Sequence, residues 1–336
     1  MAKLDWLPEE LLPVAMRVAH ADDLAYAAGL EAYLWSKTEP VSQVRERFPD
    51  GAERVFVESV RPVPPRVGLL FSDAVNHLRS ALDNVVFHLA QAAHDDVLTE
   101  QQERAISFPI YVDQRGMDGW IKRMSRAGLP QLTGEGELGR RLVALQPFND
   151  ADRSVPSING LLSLMLDQQV HRAHPLVLLQ AYSNSDKHRA LRAAVHQGYQ
   201  FVNSAWFAGQ HSRSELAVGE TLFETKPGER ALLDLHPFVG VERPGAGGTL
   251  VGIGPELSGL ERYVAHHAVP VMVTGAALEQ GLPTQLDLSD TGQTMGERVA
   301  AAGYVTAHDR LSEMIRQDSL SAEGQPYEPP PLRGGE

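Results

Sequence analysis

One amphipathic stretch, residues 69–93, constrains the fold more than any other part of the sequence. Its apolar residues recur at intervals of three and four, which places them in a single stripe along an α-helix. The stripe consists of Phe71, Ala74, Leu78, Leu82, Val85 and Leu89. Such a stripe needs apolar neighbours, so the sequence predicts a long helix with this side in the core.

The polar residues of the same helix fall on two flanks. One flank carries Asn76, Arg79 and Asp83, and the other carries His77, Asn84 and His88. Arg79 and Asp83 are four residues apart and can form an ion pair along the helix. An exposed pair of this kind contributes less than about 1 kcal/mol. A solvated helix face is therefore one interpretation of these residues.

A second predicted helix carries polar residues at apolar positions. Counted from Val177, the side chains of Asn184 and His188 share a helical face with Ala181, Leu191 and Val195. We expect Asn184 and His188 to point inward, where each needs hydrogen-bond partners. Lys187, Arg189 and Arg192 give this stretch a positive charge. If it packs against residues 69–93, the polar side chains of the two helices form one site.

Composition excludes several classes of site. The chain has 336 residues, no cysteine and a net charge of −13. Disulfides, thiol catalysis and cysteine-bound metals are excluded, and we expect no metal and no cofactor. The 13 histidines include no HxxxH, HExxH or HxH pattern, and neither a nucleophile motif nor a phosphate-binding glycine loop is found. The acidic balance argues against a broad nucleic-acid-binding surface.

The sequence also favours a cytoplasmic protein. The stretch MAKLDWLPEELLP has acidic residues and prolines where a secretory signal needs a positive start and a long apolar run. No window approaches 18 uninterrupted apolar residues, so we expect no membrane span.

The periodicity predicts an α+β fold in four segments. Residues 1–196 are predicted to form a helical bundle with irregular insertions. Residues 197–290 contain short apolar runs between glycines, prolines and charges, such as GTLVGIG and VPVMVTG, which is typical of an antiparallel sheet or small sandwich. Residues 291–320 are predicted as a helix that returns to the bundle, and 321–336 as a disordered tail. The β region suits either a binding platform or the interface of a homo-oligomer.

Four short motifs carry a resemblance to a known family. They read LRSALDNVVFHLA at 78–90, FPI at 108–110, LQPF at 145–148 and NSDKHRAL at 184–191. In this order they resemble motifs of a family of uncharacterised bacterial proteins, in which the first usually reads LRSALDHL and the last NxDKHR.

In its usual form the first motif is similar to the Arg-x4-6-His element of HEPN-type helical ribonucleases. The resemblance implies an HEPN-like helical bundle, with Arg79 at the arginine position. Here Asn84 stands where that motif has histidine, and an asparagine cannot act as a general acid or base. A similar spacing is found twice more, between Arg189 and His196 and between Arg262 and His267. A chain rich in arginine and histidine contains such matches by chance.

Three functions follow as alternatives. The first is binding of a nucleotide, RNA or an anionic small molecule by Asn76, Asp83, Asn84, Asn184 and Arg189. The second is metal-independent RNA cleavage, with His188 as acid and base and Arg79 or Lys187 as the phosphate-stabilising cation. The third is a structural or oligomeric protein in which the same polar cluster only fixes the packing of the helices.

Overall fold

A computed structural model describes residues 4–158, 160, 163, 169–188, 193–196, 200–202, 205–206, 215–228, 234–235, 237–322 and 333. These residues form a mixed α+β fold, which confirms the predicted class. The helices run α1 Leu12–Ser36, α2 Pro65–Ala92, α3 Glu100–Ala105, α4 Gln114–Arg126, α5 Glu137–Ala144, α6 Pro175–His188, α7 Ile253–Tyr263, α8 Val269–Thr274, α9 Met295–Ala300 and α10 Ala307–Ala322. A π-helical turn, Val264–Ala268, joins α7 to α8 without a break.

Helix α2 lies in the core, as its apolar stripe predicts. The side chains of Phe71, Leu78 and Leu82 are fully buried, whereas Leu89 at the end of the stripe is half-buried. The facing side of α1 is rich in buried alanines, which allow its backbone to approach α2 closely. The apolar periodicity of one segment therefore locates the centre of the molecule.

The described strands form small antiparallel sheets. One has the order β1 Val41–Arg47, β2 Glu53–Val60 and β8 Thr221–Glu224. Another has the order β11 Leu250–Gly252, β10 Phe238–Glu242 and β5 Ala193–His196, with Val239 paired to Val195 and Val241 to Val251. The remaining pairings join β3 Val155–Pro156 to β4 Arg172–Ala173, and β6 Gln200–Val202 to both β7 Ala205–Trp206 and β9 Asp234–Leu235.

The prediction was wrong for the segment VPVMVTG, which is the helix α8 and not a strand. A stripe of buried residues continues through α7, the π-turn and α8, namely Leu257, Leu260, Val264, Ala268 and Met272. Burial along a helical period therefore outweighs the local preference of valine for strands.

Two further elements differ from the prediction. Residues 41–47, which lie in the segment predicted as a helical bundle with irregular insertions, form β1. The single helix predicted at 291–320 is divided into α9 and α10, because Gly303 pairs with Gln285 in an isolated β-bridge. The side chain of Asp22 on α1 then accepts a hydrogen bond from the Ala307 N–H at the start of α10.

One hydrophobic core takes residues from all along the chain. It includes side chains of α1, α2, α6, β10, β11, α7 and α8. A smaller cluster lies beside β1, β2 and β8 and contains Val41, Val55, Val57, Val195, Leu216 and Leu222. The predicted bundle, the β region and the returning helix thus contribute to common packing. In the ranges described above, no helix has the length and apolar character needed to cross a membrane.

A fully buried ion pair ties β10 to α7. Arg243, which follows β10, donates from Nε and Nη2 to the two carboxylate oxygens of Glu256, and both side chains are at most 2% exposed. The hydroxyl of Tyr182 on α6 donates to the same carboxylate over 2.8 Å. Arg243 Nη1 also donates to the carbonyls of Val155 and His171. One arginine therefore joins the sheet, the β3–β4 pair and two helices.

A second buried cluster holds α10 against α1 and α7. Arg310 Nη2 lies 2.8 Å from Asp22 Oδ2, and Glu261 of α7 is a neighbour of Asp22. Burial and the neighbouring Asp22 raise the pKa of Glu261 well above its ordinary value. Burial likewise raises the pKa of Asp22, against the opposing effect of Arg310. The protonated form of Glu261 is therefore favoured beside Asp22.

Candidate functional site

The predicted site residues Arg79 and Asp83 bind the backbone of Phe108. Arg79 Nη2 donates to the Phe108 carbonyl over 2.6 Å, and Asp83 Oδ1 accepts the Phe108 N–H over 2.8 Å. Arg79 Nη2 also lies 3.4 Å from Asp83 Oδ1. Burial lowers the pKa of Arg79, and the Asp83 carboxylate opposes this effect. Both side chains therefore hold the FPI motif against α2.

The LQPF motif holds the same segment from the other side. Gln146 is fully buried, its Nε2 donates to the Pro109 carbonyl over 3.1 Å, and its Oε1 accepts the Tyr111 N–H over 2.9 Å. Three of the four motifs thus meet at residues 108–111. Their contacts are those of a packing network, which favours the third of the alternatives for Arg79 and Asp83.

The inward orientation predicted for Asn184 was wrong. Asn184 is exposed, and the buried side of α6 carries Leu178, Leu179, Tyr182 and Ser183. The apolar residues of LVLLQAY lie on several sides of this helix, so the periodicity does not identify which side is buried. Ser183, and not Asn184, faces α2, where its hydroxyl donates to Asn76 Oδ1 over 2.8 Å.

The predicted two-helix site is therefore divided. Its α2 residues contact different neighbours, with Asn76 facing α6 and the pair Arg79 and Asp83 facing Phe108. Asn84 is half-buried on α2. The side chains of Lys187 and His188, and all of Arg189, lie outside the described residues. Their roles in catalysis or binding stay predictions.

A large cleft lies elsewhere, along α7. Its volume is about 1340 Å³, above the roughly 300–1,000 Å³ typical of small-molecule pockets. The walls come from the second half of α1, the β10–β11 pair, α7 with the π-turn, α10, and residues 153–158. The cleft has room for an organic ligand larger than a simple anion.

A polar cluster stands at the π-turn end of this cleft. His267 Nε2 lies 2.9 Å from Asp150 Oδ2, and the Tyr263 hydroxyl donates to the same oxygen over 3.3 Å. His174 Nε2 is 3.6 Å from that oxygen, and Arg153 Nε is 3.8 Å from the other one. The Asp150 carboxylate is therefore surrounded by donors from the protein itself.

The two histidines of the cluster are neutral at neutral pH. Burial lowers the pKa of His267 and of His174, and the Asp150 carboxylate opposes the effect in both. His174 Nδ1 accepts the Leu176 N–H, so its proton is on Nε2, toward Asp150. The His267 proton lies on Nε2 as well, because a carboxylate can only accept. The Asp150 carboxylate therefore faces the Nε2 atoms of both rings.

Arg262 lines the cleft and directly precedes Tyr263 in the chain. It is exposed and forms no ion pair with any residue in the portion of the chain that the structure describes. Arg262 and His267 were a chance match by spacing alone, yet both line the cleft. The intervening π-turn, marked by the hydrogen bond from Val269 N–H to Val264 O, alters which residues share a face. Such turns occur frequently at functional sites.

Sequence reasoning missed Asp150 and Tyr263. Asp150 follows the LQPF motif by two residues, but nothing in its local pattern connects it with a histidine more than a hundred residues away. Comparison of the chain with protein-family models, with curated proteins and with solved structures finds no match. Among the described residues no three His, Asp or Glu side chains are arranged to hold a metal ion.

Proposed function

We propose that this protein binds a small anionic organic molecule in the cleft along α7. The observation that carries the proposal is the exposed guanidinium of Arg262 on the cleft wall, which has no ion-pair partner among the described residues. An arginine can bind a carboxylate or phosphate through two parallel hydrogen bonds. An anion would give the Arg262 guanidinium a partner of opposite charge.

The charges of the cleft wall single out Arg262 as a contact for an anion. Three arginines line the wall, Arg153, Arg262 and Arg316, with two glutamates, Glu256 and Glu279. Glu256 is paired with the buried Arg243, Arg153 lies beside Asp150, and Arg316 is paired with Glu313. The net charge of the whole chain is −13. Repulsion by the rest of the surface disfavours a long polyanion, so a nucleotide or another small anion fits better than RNA.

The predicted ribonuclease has less geometric support. Its resemblance-based arginine, Arg79, is hydrogen-bonded to the Phe108 carbonyl and paired with Asp83. Cleavage by an HEPN-like site with His188 stays a second prediction. The cytoplasmic location and the homo-oligomer also stay predictions.

The test is a thermal-shift screen followed by calorimetric titration with inorganic phosphate, AMP and short organic phosphates. We expect at least one of these anions to raise the Tm in proportion to its occupancy. Arg262→Ala should weaken its binding at least tenfold, since a charge-assisted bidentate contact is lost. The matched control is Arg115→Ala, an exposed arginine on α4 away from the cleft.

Two results would overturn the proposal. One is the absence of binding by every anion at millimolar concentration. The other is equal binding by the native protein and Arg262→Ala, while both remain folded by circular dichroism.

A further inference from the structure

We propose that the proline-rich C-terminal segment of the chain binds the outer face of its own β1–β2 hairpin, with Arg333 as the anchor. No residue of β1 or β2 lines the cleft, so this surface is separate from the cleft and does not depend on anion binding. The proposal gives a binding site to part of the segment that composition predicts to be disordered.

Arg333 contacts the hairpin through both its backbone and its side chain. Its N–H donates to the carbonyl of Arg45 on β1 over 2.8 Å. Its guanidinium carbon lies over the ring of Phe56 on β2, 5.2 Å from the ring centroid. A cation within about 6 Å of an aromatic ring is attracted to the face of that ring. Two different groups of one residue therefore attach the same point of the C-terminal segment to the hairpin.

Strand β1 can accept this contact because it lies at the edge of its sheet. In the described sheet its neighbour is β2, and β8 lies on the other side of β2. Backbone groups of an edge strand that point away from the sheet need partners outside the sheet. The Arg45 carbonyl finds such a partner in Arg333.

The outer face of the hairpin carries an apolar pair that does not belong to the core. Val44 and Phe56 are paired across β1 and β2, so their side chains lie on the same face. The opposite face carries Val55 and Val57, which belong to the smaller hydrophobic cluster. Val44 is only 5% exposed although it belongs to neither cluster, and Phe56 is half-buried. Groups outside the two clusters therefore cover this pair.

The connection between α10 and Arg333 is long enough for the chain to cover its own hairpin. α10 ends at Ala322, and Asp318 near its end lies 3.0 Å from Lys37, shortly before β1. Arg45 is four residues from the start of β1, or about 13 Å along the strand. The 11 residues from Ala322 to Arg333 can span about 36 Å when extended. A second copy of the chain is therefore not needed.

The composition of the C-terminal segment suits this face. Residues 325–333 read QPYEPPPLR, so three prolines and a leucine directly precede Arg333. Proline has no N–H, so these residues cannot extend the sheet as a fully paired strand. Proline-rich segments bind aromatic and apolar surfaces through their rings, and their restricted backbone loses little entropy on binding. The Val44–Phe56 pair offers such a surface, and the Arg333 N–H adds a hydrogen bond.

The absence of cysteine from the chain allows a test with a single thiol. Val44→Cys in the full chain places this thiol on the outer face, and its rate of reaction with DTNB measures how well the face is covered. We expect slow labelling, and a rise of about two- to fivefold when Arg333→Ala removes the cation–π contact. Serine at all of positions 329–332 removes the apolar groups as well and should raise the rate by about tenfold or more.

Two further thiols calibrate the labelling rates. Val55→Cys, in the smaller hydrophobic cluster, should react slowly with the native and with the altered C-terminal segment. Val97→Cys replaces a side chain that is 93% exposed and should react rapidly with both. Circular dichroism checks that every variant is folded.

A second measurement needs no cysteine. Trypsin can cleave after Arg333 only when the arginine side chain has left the Phe56 ring, and mass spectrometry follows the loss of the last three residues. Phe56→Leu should accelerate this cleavage by about two- to fivefold. Phe48→Leu is the matched control, because Phe48 lies on the same hairpin but contacts Arg54.

Each outcome decides the proposal. Equal labelling of Val44→Cys with the native and the altered C-terminal segment would overturn it, as would equal trypsin cleavage of the native protein and Phe56→Leu. A labelling rate that falls as the protein concentration rises would identify the segment of a second copy as the occupant, which contradicts binding within one chain. Rates that are independent of concentration and rise when the segment is altered support the proposal.

Discussion

The carboxylate of Asp83 accepts the backbone N–H of Phe108 across 2.8 Å. Arg79, one turn earlier on α2, donates to the carbonyl of the same residue. Together the two side chains give Phe108 the pair of hydrogen bonds that a residue in an antiparallel sheet receives from its neighbouring strand. The segment before α4 is thereby fixed to the central helix without any strand.

Loss of Asp83 should therefore lower stability and leave the cleft intact. Asp83→Ala removes the acceptor of the Phe108 N–H, at a cost of about 1–3 kcal/mol. The Tm should fall, with Asp73→Ala as the control at an exposed position of the same helix. An unchanged Tm together with lost anion binding would contradict the structural role and would indicate that Asp83 takes part in binding.

The buried pair of Arg243 and Glu256 should be much more sensitive to single than to double substitution. Glu256→Leu leaves an unpaired guanidinium in the core, which should lower the free energy of unfolding by about 3–5 kcal/mol. Adding Arg243→Met should recover part of this loss, because no isolated charge then remains. Urea denaturation followed by circular dichroism measures both. A double variant less stable than Glu256→Leu would contradict this account.

The proton that Glu261 holds beside Asp22 should make stability fall as the pH rises. The folded-state pKa of Glu261 is raised, so the native state binds this proton more tightly than the unfolded chain does. The stabilising effect is complete below the ordinary carboxyl pKa, and it is lost as the pH rises toward the folded-state pKa. The charged groups around Glu261 are Asp22 and Asp309, which oppose its ionisation, and Arg310, which favours it.

Glu261→Gln tests this proton directly. The amide is neutral at every pH, so the variant should have a higher Tm than the native protein at neutral pH and a flatter dependence of Tm on pH. Each kcal/mol gained corresponds to about 2–4 °C in a domain of 150–250 residues, and to less in a larger one. Glu103→Gln, at an exposed position of α3, is the control. Parallel Tm profiles of Glu261→Gln and the native protein would refute a raised pKa of Glu261.

The π-turn should depend on Gly281. A Cβ at this residue would overlap the backbone carbonyl of Ala265, which lies within the turn. Gly281→Ala should therefore lower the Tm and weaken anion binding, because the backbone that positions His267 must shift. Gly119→Ala has open space around the added carbon and should be neutral or slightly stabilising. Native-like binding and Tm in Gly281→Ala would show that the turn adapts.

The sequence predicted the structural features that depend on short-range apolar periodicity. The stripe of α2 and the mixed α+β class follow from local periodicity. The orientation of Asn184 did not follow, because α6 is apolar on several sides and only its tertiary neighbours select the buried one. For the same reason α8, with its β-branched residues, was expected to be a strand.

The cluster of Asp150 and His267 could not be predicted from local sequence patterns. Asp150 and His267 are separated by 117 positions, and their 2.9 Å contact depends on how the chain returns to α7. The spacing of Arg262 and His267 was visible, but an ordinary helix would have turned them apart. Only the π-turn in the structure distinguishes this pair from the other chance matches.

A π-turn contains one more residue than an α-helical turn, so Val264–Ala268 amounts to a single-residue insertion in an otherwise regular helix. Everything after it is rotated by about 100° relative to an uninterrupted helix. Relatives that share this feature and relatives that lack it would differ by a one-position gap near residue 266. In relatives with the π-turn, the cleft would keep its histidine beside Asp150. In relatives without it, the histidine ring would point in another direction. The length of this helix, counted in single residues, would then show which homologues can keep the contact between this histidine and Asp150.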